Sequence, residues 1–445
     1  MPPSNRAGLL ARLGLGRPDA RAWAMYDWAN SGVYTLVITA VFPIFFLDYA
    51  SEDPQLGVSR FTLATTLGLT ITAVLSPFLG TLADQSASKL KLLGTFVLIG
   101  VAASCGMFFI GQGQWQFALV LFMLVTLGIN GSFVFYDALL PHVVDRGDTD
   151  RLTSAGYALG YLGGGLELAL GLAIIQLPAV FGLPAGEGLS PNAASLPIRI
   201  GFLIAAAWWL LFSIPLFRRV PEPPAAPRPP GHEAHNPVAE TFAQLARTFR
   251  DLRRYRDAFI FLVAFLIYND GIGTIIKLAT AYGTEIGITR TTMIAAIVVT
   301  QFVGVPFAFM FGALAGRIGA RPSIFLGIAA YGFIAVLGFY MRTDTHFMML
   351  AVLVGMVQGG TQALSRSLFA SMIPKSKSGE FFGFFSVFDK GASILGPLAF
   401  WLVLELTGSS RNAILSLILF FAVGAGLLAT VNVSRGQAAA LEGDA

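Results

Sequence analysis

Twelve apolar runs, each long enough to cross a membrane as a helix, dominate this sequence. The hydrocarbon core of a bilayer is about 30 Å thick, and a helix rising 1.5 Å per residue crosses it in about 20 residues. We therefore predict an all-α membrane protein with twelve transmembrane helices. The runs lie at residues 23–48, 61–82, 92–112, 115–137, 153–176 and 198–217, and at 258–284, 291–314, 323–341, 346–370, 381–405 and 411–431.

Composition supports a bilayer as the solvent of this chain. Of its 445 residues, 55% are hydrophobic and 12% are charged, whereas about 25% are charged in soluble domains. The 29 basic residues cluster between the apolar runs and form no basic groove, so nucleic acid is not an expected partner. The single cysteine, Cys105, lies in an apolar run. Neither a metal site nor a cofactor is expected, and no phosphate-binding loop or catalytic constellation indicates an enzyme.

The distribution of basic residues predicts the orientation. Alternate connections place most of them on one side of the membrane, together with both chain ends. Because basic residues concentrate on the cytoplasmic side, both termini are predicted to be cytoplasmic. The opposite side receives only Arg60, Arg199, Arg290, Arg342 and Arg411.

A polar segment separates the first six runs from the last six. It divides the chain into an N-terminal bundle (1–218), a linker (219–257) and a C-terminal bundle (258–445). The linker opens with a proline-rich stretch at 220–230, which suits an extended tether. A basic amphipathic pattern follows at 238–252, which predicts either a helix at the membrane interface or a solvated linker helix.

The two halves repeat each other in sequence. The stretch Gly80-Thr-Leu-Ala-Asp84 follows the second run, and Gly312-Ala-Leu-Ala-Gly316 follows the eighth. Tyr26-Asp27 and Tyr268-Asn-Asp270 stand at matching places in the first run of each half. These matches predict two pseudo-symmetric bundles of six helices, an architecture that occurs among transporters.

Charged residues inside the runs are distributed in the same way in both halves. A charge costs at least a few kcal/mol in hydrocarbon, so it indicates a helix that borders a wet or packed interior. Runs three, six, nine and twelve have no interior charge, and we expect them to face lipid. The interior charges are Asp27, Asp137, Glu167, Asp270, Lys277, Arg366, Asp389 and Lys390.

The twelve runs, the half-repeat and the Gly-x-Leu-Ala-Asp loop resemble the major facilitator superfamily. Within it, three stretches resemble the bacterial UMF1 group, which is related to the autophagy-linked vacuolar amino-acid effluxers of the Atg22 type. These stretches are Tyr26-Asp-Trp-Ala-Asn-Ser31, Tyr268-Asn-Asp-Gly-Ile-Gly273 and the segment from Gln358 through Arg366 to Phe384. The resemblance implies a multi-pass protein of the bacterial plasma membrane.

The resemblance also implies a gating loop that latches the inward gate through charge pairing and helix dipoles. The superfamily pattern has a base after the loop aspartate and then a glycine, where this chain has Gln85 and Ala87. This departure puts the strength of the latch in question. The predicted gating residues are Gly80, Asp84, Lys89, Lys91, Gly312, Arg317 and Arg321.

A central cavity lined by spans one, four, seven and ten is a further implication, and it predicts where substrate binds. Asp270 and Lys277 lie two turns apart on one helical face and could hold a zwitterion, or could form a permanent ion pair or a water site. Arg366 could bind substrate with Gln358 and Gln362, or could extend to the interface. The remaining candidates are Asn30, Tyr34, Asn130, Tyr268 and Asn269.

Three carboxyl groups are candidates for proton coupling: Asp27, Glu167 and Asp270. Asp27 and Glu167 could instead brace their helices by hydrogen bonds. Asp389 and Lys390 are adjacent in sequence and are expected to point in different directions. Each then needs its own partner, and Arg366 is the expected partner of Asp389.

The function predicted from these features is secondary transport of a small polar solute by alternating access, with a monomer as the functional unit in the bilayer. Amino-acid efflux follows from the resemblance, and proton coupling follows from the buried carboxyls. A lipid flippase of the same fold stays open and predicts an apolar gap beside spans five and eight. A non-transporting membrane sensor also stays open.

Overall fold

The computed structural model of the protein describes residues 5–226, 254–392 and 395–444. Its described part contains twelve helices that are long and apolar enough to cross a membrane, which confirms the predicted fold class. The predicted amphipathic helix at 238–252 lies outside the described residues. The spans, numbered one to twelve, are Pro18–Ala50, Leu56–Ser86, Lys89–Phe109, Trp115–Val143, Thr149–Gln176, Pro191–Arg219, Arg256–Thr280, Arg290–Ile318, Ala320–Phe339, Asp344–Ser371, Lys375–Thr407 and Ser410–Thr430.

Span one is not a uniform α-helix. It is α-helical over Pro18–Val33, continues as a π-helix over Tyr34–Val41, and alternates again with an α-helix at Phe42–Phe45 and a π-helix at Phe46–Ala50. The proline at the start of the second α-helical piece lacks an amide hydrogen, so it cannot continue the regular ladder. Wide π turns of this kind occur frequently at functional sites.

Span eleven is built from two helices, Ser378–Gly391 and Leu395–Thr407. The first helix ends at Gly391, near the middle of the span, and is followed by a turn at Ala392. In transporters, broken helices place backbone amides and helix ends at membrane depth, where they face a cavity or a binding site. The apolar run predicted at 381–405 lies within this span, and the sequence did not predict its division into two helices.

The halves meet through particular spans. Span two packs against span eleven, and span five packs against spans eight and ten. Spans three, six, nine and twelve pack chiefly against helices of their own half and make none of the main contacts between the halves, in agreement with the expected outer position. A Cβ added to Gly80 would lie 2.0 Å from the carbonyl oxygen of Gly379, so the backbones of spans two and eleven touch.

The helices that precede span one and follow span twelve lie at the same end of the bundle, because the number of spans is even; we call this end the terminal side. A short helix, Asn5–Arg12, precedes span one, and the helix Val433–Asp444 follows span twelve. Arg435 holds the helix Val433–Asp444 against span seven by donating to both carboxylate oxygens of Asp257, at 2.6 and 2.9 Å.

Candidate functional site

Arg366 of span ten joins the two halves through a buried ion cluster. Its guanidinium donates to Oδ1 of Asp137 on span four at 2.8 Å and to Oδ2 of Asp27 on span one at 3.2 Å. The hydroxyl of Tyr136 also donates to Oδ2 of Asp27, at 2.9 Å. The Arg366 side chain is only 3% exposed. One cation of the C-terminal half therefore pairs with two carboxyl groups of the N-terminal half.

Three aromatic rings surround the Arg366 guanidinium. Its central carbon lies 5.2 Å from the ring centroid of Trp23, 5.3 Å from that of Tyr136 and 4.7 Å from that of Tyr157. The Trp23 and Tyr136 rings stack on each other at 4.3 Å. Cation–π attraction is strongest where water is excluded, so the rings reinforce the ion pairs.

Glycines on span five make room for this cluster. A Cβ at Gly156 would lie 2.7 Å from Oδ2 of Asp27, and one at Gly160 would lie 3.4 Å from its Cβ. The sequence identifies Asp137 only as an interior charge and does not place Tyr136, Trp23 or Tyr157 in a site. Their shared signal is polar or aromatic character within apolar spans, which does not show which residues meet.

The structure contradicts the predicted pairing of Arg366 with Asp389. Arg366 pairs with Asp27 and Asp137, whereas Asp389 accepts from the ammonium of its sequence neighbour Lys390 at 2.7 Å. Adjacent side chains on a helix leave in different directions, but the long lysine side chain can turn back to its neighbour. Arg366 also does not extend to the membrane interface, because it is buried between the halves.

A second contact between the halves involves the predicted gating loop. Both carboxylate oxygens of Asp84 accept from backbone amides of span eleven, from Gly379 at 3.0 Å and from Glu380 at 2.8 Å. These amides lie in the first turn of the helix Ser378–Gly391, where a negative charge is favoured by the helix dipole. The ammonium of Lys89 lies 2.6 Å from Asp84, and both side chains are buried.

The loop between spans two and three positions Asp84 for these contacts although its sequence departs from the superfamily pattern. Ala87 stands where the pattern has a glycine and adopts a left-handed φ of 47°, which is unfavourable for a residue with a Cβ. Glu222, from the start of the linker, accepts from the amides of Lys89 and Leu90 at 2.6 and 2.8 Å. Its carboxylate thus caps span three, whose own preceding residue makes no capping bond.

The matching loop of the C-terminal half has no carboxylate, since Gly316 stands at the place of Asp84. A Cβ at Gly312 would lie 2.7 Å from the Ser154 side chain, so span eight closely contacts span five. Arg321 donates to the carbonyl of Ala429 within its own half. The two remaining predicted gating residues, Lys91 and Arg317, have exposed side chains.

Two more hydrogen bonds join the halves on the terminal side. His142 of span four contacts the hydroxyl of Ser378 at 3.2 Å, and Ser367 of span ten donates to Asp150 of span five. Together with the Arg366 cluster and the Asp84 latch, they close the space between the halves on this side.

Asp270 occupies the break in span eleven. Its Oδ2 accepts from the amide of Gly396 at 2.7 Å, in the first turn of the helix Leu395–Thr407, and its side chain is fully buried. The predicted ion pair with Lys277 is absent from the described residues, where Lys277 is exposed. Asp270 therefore caps a half-helix in this conformation, and a solute in the cavity could not reach it.

A partly exposed polar cluster lies beside the same break. The side-chain amide of Asn269 donates to Oδ1 of Asp389 at 3.2 Å, and Lys390 donates to its other oxygen. The Lys390 and Asp389 side chains are 19% and 32% exposed. Lys277 of span seven and Tyr34 of span one lie within electrostatic range of both. We call these five residues the Asp389 cluster.

The remaining predicted residues are placed as follows. The amide of Asn30 donates to Ser132, and that of Asn130 donates to a carbonyl of its own helix, so both lie inside the N-terminal half. Tyr268 hydrogen-bonds Ser365 between spans seven and ten. Gln358 and Gln362 are half-buried on span ten. Among the described residues, no group of His, Cys, Asp and Glu has the arrangement of a metal site.

Solved structures identify the class of protein that this fold defines. The human organic anion transporter MFSD10 superposes with a TM-score of 0.69 at 14% identity, over 93% of this chain and 99% of that one. FucP, a fucose:proton symporter of Escherichia coli, superposes in its outward conformation with a TM-score of 0.65 at 13% identity, over 93% and 98%. The fold is that of a major facilitator superfamily transporter.

Sequence relatives identify the family more closely. The family model described as "Vacuole effluxer Atg22 like" matches residues 58–441, so the chain belongs to this family. The MFS-type transporter YxiO of Bacillus subtilis is 38% identical over 416 residues, which cover 92% of this chain and 94% of YxiO. Autophagy-related protein 22 of Yarrowia lipolytica is 27% identical over 317 residues, covering 64% of this chain and 51% of that protein.

Proposed function

We propose that this Atg22-like transporter moves amino acids by alternating access, as a member of the UMF1 group in the bacterial plasma membrane. The observation that carries the proposal is the Arg366 bridge. It joins span ten to spans one and four through contacts that can form only while the terminal side is closed. Rocking of the two halves would break this bridge and open that side.

The Asp389 cluster supports a zwitterionic substrate. It offers the carboxylate of Asp389 and the ammonium groups of Lys390 and Lys277 at membrane depth, beside a broken helix. In the empty protein Asp389 and Lys390 neutralise each other. A substrate that carries both an ammonium and a carboxylate would replace that pair without leaving a charge unpaired.

The direction and energy of transport complete the proposal. The positive charge of the connecting segments supports a cytoplasmic terminal side. The family name "Vacuole effluxer" describes export of solute out of a compartment, which supports export as the direction proposed here. We propose that a proton gradient drives this export and that the monomer is the functional unit, because the contacts that close the terminal side all lie within one chain.

The close packing of spans five and eight disfavours a flippase. A Cβ at Gly304 would lie 2.9 Å from the Tyr161 ring, and Gly312 contacts Ser154 just as tightly. The lateral apolar gap that a flippase predicts beside these spans is therefore filled in this conformation.

Counterflow in proteoliposomes tests the proposal. Vesicles loaded with each of a panel of unlabelled amino acids should take up the same labelled amino acid faster than empty vesicles. The Asp389→Asn variant should lose this exchange, and Glu405→Gln, an exposed acid on the same span, should retain it. Absence of exchange for every amino acid in the wild-type protein would contradict the substrate assignment.

A further inference from the structure

Glu167 is a fully buried carboxyl group in the middle of span five. Its side chain is 0% exposed and packs against Gly32 of span one. A Cβ at Gly32 would lie 1.5 Å from Oε2 of Glu167, so only a glycine at this position leaves space for the carboxyl group. The close approach of the two helices therefore depends on a pair of residues, one small and one acidic.

Neither carboxyl oxygen of Glu167 has a hydrogen-bond partner among the described residues. The ionisable groups at membrane depth on the spans packed against it are Tyr26, Asp27 and Tyr34 on span one and Arg366 on span ten. None of these groups donates a hydrogen bond to Glu167 in the described structure. An unpaired charge buried in this way costs several kcal/mol, whereas the protonated acid is neutral.

The other two carboxyls that the sequence nominates are already engaged. Asp27 accepts from Arg366 and Tyr136, and Asp270 accepts from the amide of Gly396. Each of these two groups therefore has at least one donor on a carboxylate oxygen. Within the described part of the chain, Glu167 is the one of the three whose carboxyl oxygens receive no donor.

The surroundings of Glu167 change when the halves move. Gln301 of span eight donates to Thr35 of span one at 2.9 Å, at the start of the π-helical segment. Gly164, one turn before Glu167, lies against both of these side chains. Separating the halves on this level would break the Gln301 bond and admit water next to Glu167.

We propose that Glu167 binds the proton that is coupled to transport, an inference that rests on the proposed transport function. In the conformation described here the carboxyl group holds the proton. When the halves rock and water reaches the group, its O–H bond breaks, the proton passes to water, and the carboxylate that remains is hydrated. Return to the present conformation requires that a new proton binds.

Chemical labelling tests the protonated state in the wild-type protein. Hydrophobic carbodiimides react with protonated carboxyls within membranes, and mass spectrometry locates the modified residue. We expect modification of Glu167 at neutral pH and none of Asp27 or Asp270. An unmodified Glu167 peptide would overturn the proposal, whether or not a transport substrate is known.

Transport by Glu167→Gln tests the coupling. One coupled proton per solute supports up to about tenfold accumulation for each pH unit of gradient. The variant should lose this accumulation and still exchange labelled for unlabelled solute, because exchange needs no net proton movement. Glu285→Gln, whose native carboxylate contacts Ser410 at a span end, serves as the matched control and should accumulate solute normally.

The two results separate the inference from the proposed function. Accumulation by Glu167→Gln at the wild-type level would remove Glu167 as the proton site and leave transport intact. Failure of the wild-type protein to exchange any solute would instead remove the transport function, while the carbodiimide result would still decide the protonation state of Glu167.

Discussion

The Arg366→Gln substitution should shift the protein towards conformations that are open on the terminal side. It removes the only cation that contacts both Asp27 and Asp137 through ion pairs of 3.2 and 2.8 Å in the described structure. Removing one member of a buried ion pair costs about 3–5 kcal/mol, because the remaining charge stays buried and unpaired. That penalty applies to the closed state, since opening hydrates the two carboxylates.

The size of the shift follows from this penalty. Because each 1.4 kcal/mol is a factor of ten, 3–5 kcal/mol corresponds to a change of about 10²- to 4 × 10³-fold in the conformational equilibrium. A cysteine that replaces Ser154, in a Cys105→Ala background, reports this conformational equilibrium. Ser154 is 1% exposed and packs against Gly312 between the halves. Its labelling by a polar maleimide should rise steeply in Arg366→Gln.

The matched control is Arg435→Gln. Arg435 also makes two bonds to a buried aspartate, Asp257, but both residues belong to the C-terminal half. Its loss should leave the labelling of the Ser154 reporter unchanged. Equal labelling in Arg366→Gln and wild type would refute the reasoning, since it would mean that the cluster does not distinguish the two conformations.

Two further predictions concern the gating loop. Glu222→Gln removes the charge that caps span three, which should cost about 1 kcal/mol of stability and lower the melting temperature. The exposed control Glu187→Gln should leave the melting temperature unchanged. Equal melting temperatures in the two variants would contradict the capping role. Gly80→Ala would place a Cβ 2.0 Å from the Gly379 carbonyl oxygen, so it should hinder closure of the terminal side and raise labelling of the Ser154 reporter. The control Gly68→Ala on the same span meets its nearest atom at 3.5 Å and should leave the labelling unchanged. Equal labelling in the two variants would show that closure does not depend on the close contact at Gly80.

The sequence predicted the twelve helices because each depends on local apolar length, which needs no knowledge of neighbours. The outer position of spans three, six, nine and twelve followed from their lack of interior charge. The break in span eleven could not be predicted in this way. It lies in an apolar run, and Asp270, whose carboxylate caps the second helix, lies more than one hundred residues earlier in the chain.

Some residues of the contacts between the halves were predicted as site residues, but their pairings were not. Asp27, Asp84, Lys89 and Arg366 were all nominated, because charges in or beside a span are costly and therefore informative. Their partners depend on how the two halves pack, which one sequence does not specify. Arg366 thus received the wrong partner, and the capping role of Glu222 was missed because the proline-rich linker carries no periodic pattern.

Distances between paired spin labels test alternating access most directly. In a Cys105→Ala background, labels at Ser86 and Ile318 report the terminal side, and labels at Val58 and Arg290 report the opposite side; all four positions are exposed. With an exchanged amino acid present, the terminal pair should populate longer distances while the opposite pair populates shorter ones, and Arg366→Gln should favour the same change without substrate. Two pairs that keep one unchanged distance under every condition would contradict transport by rocking of the halves.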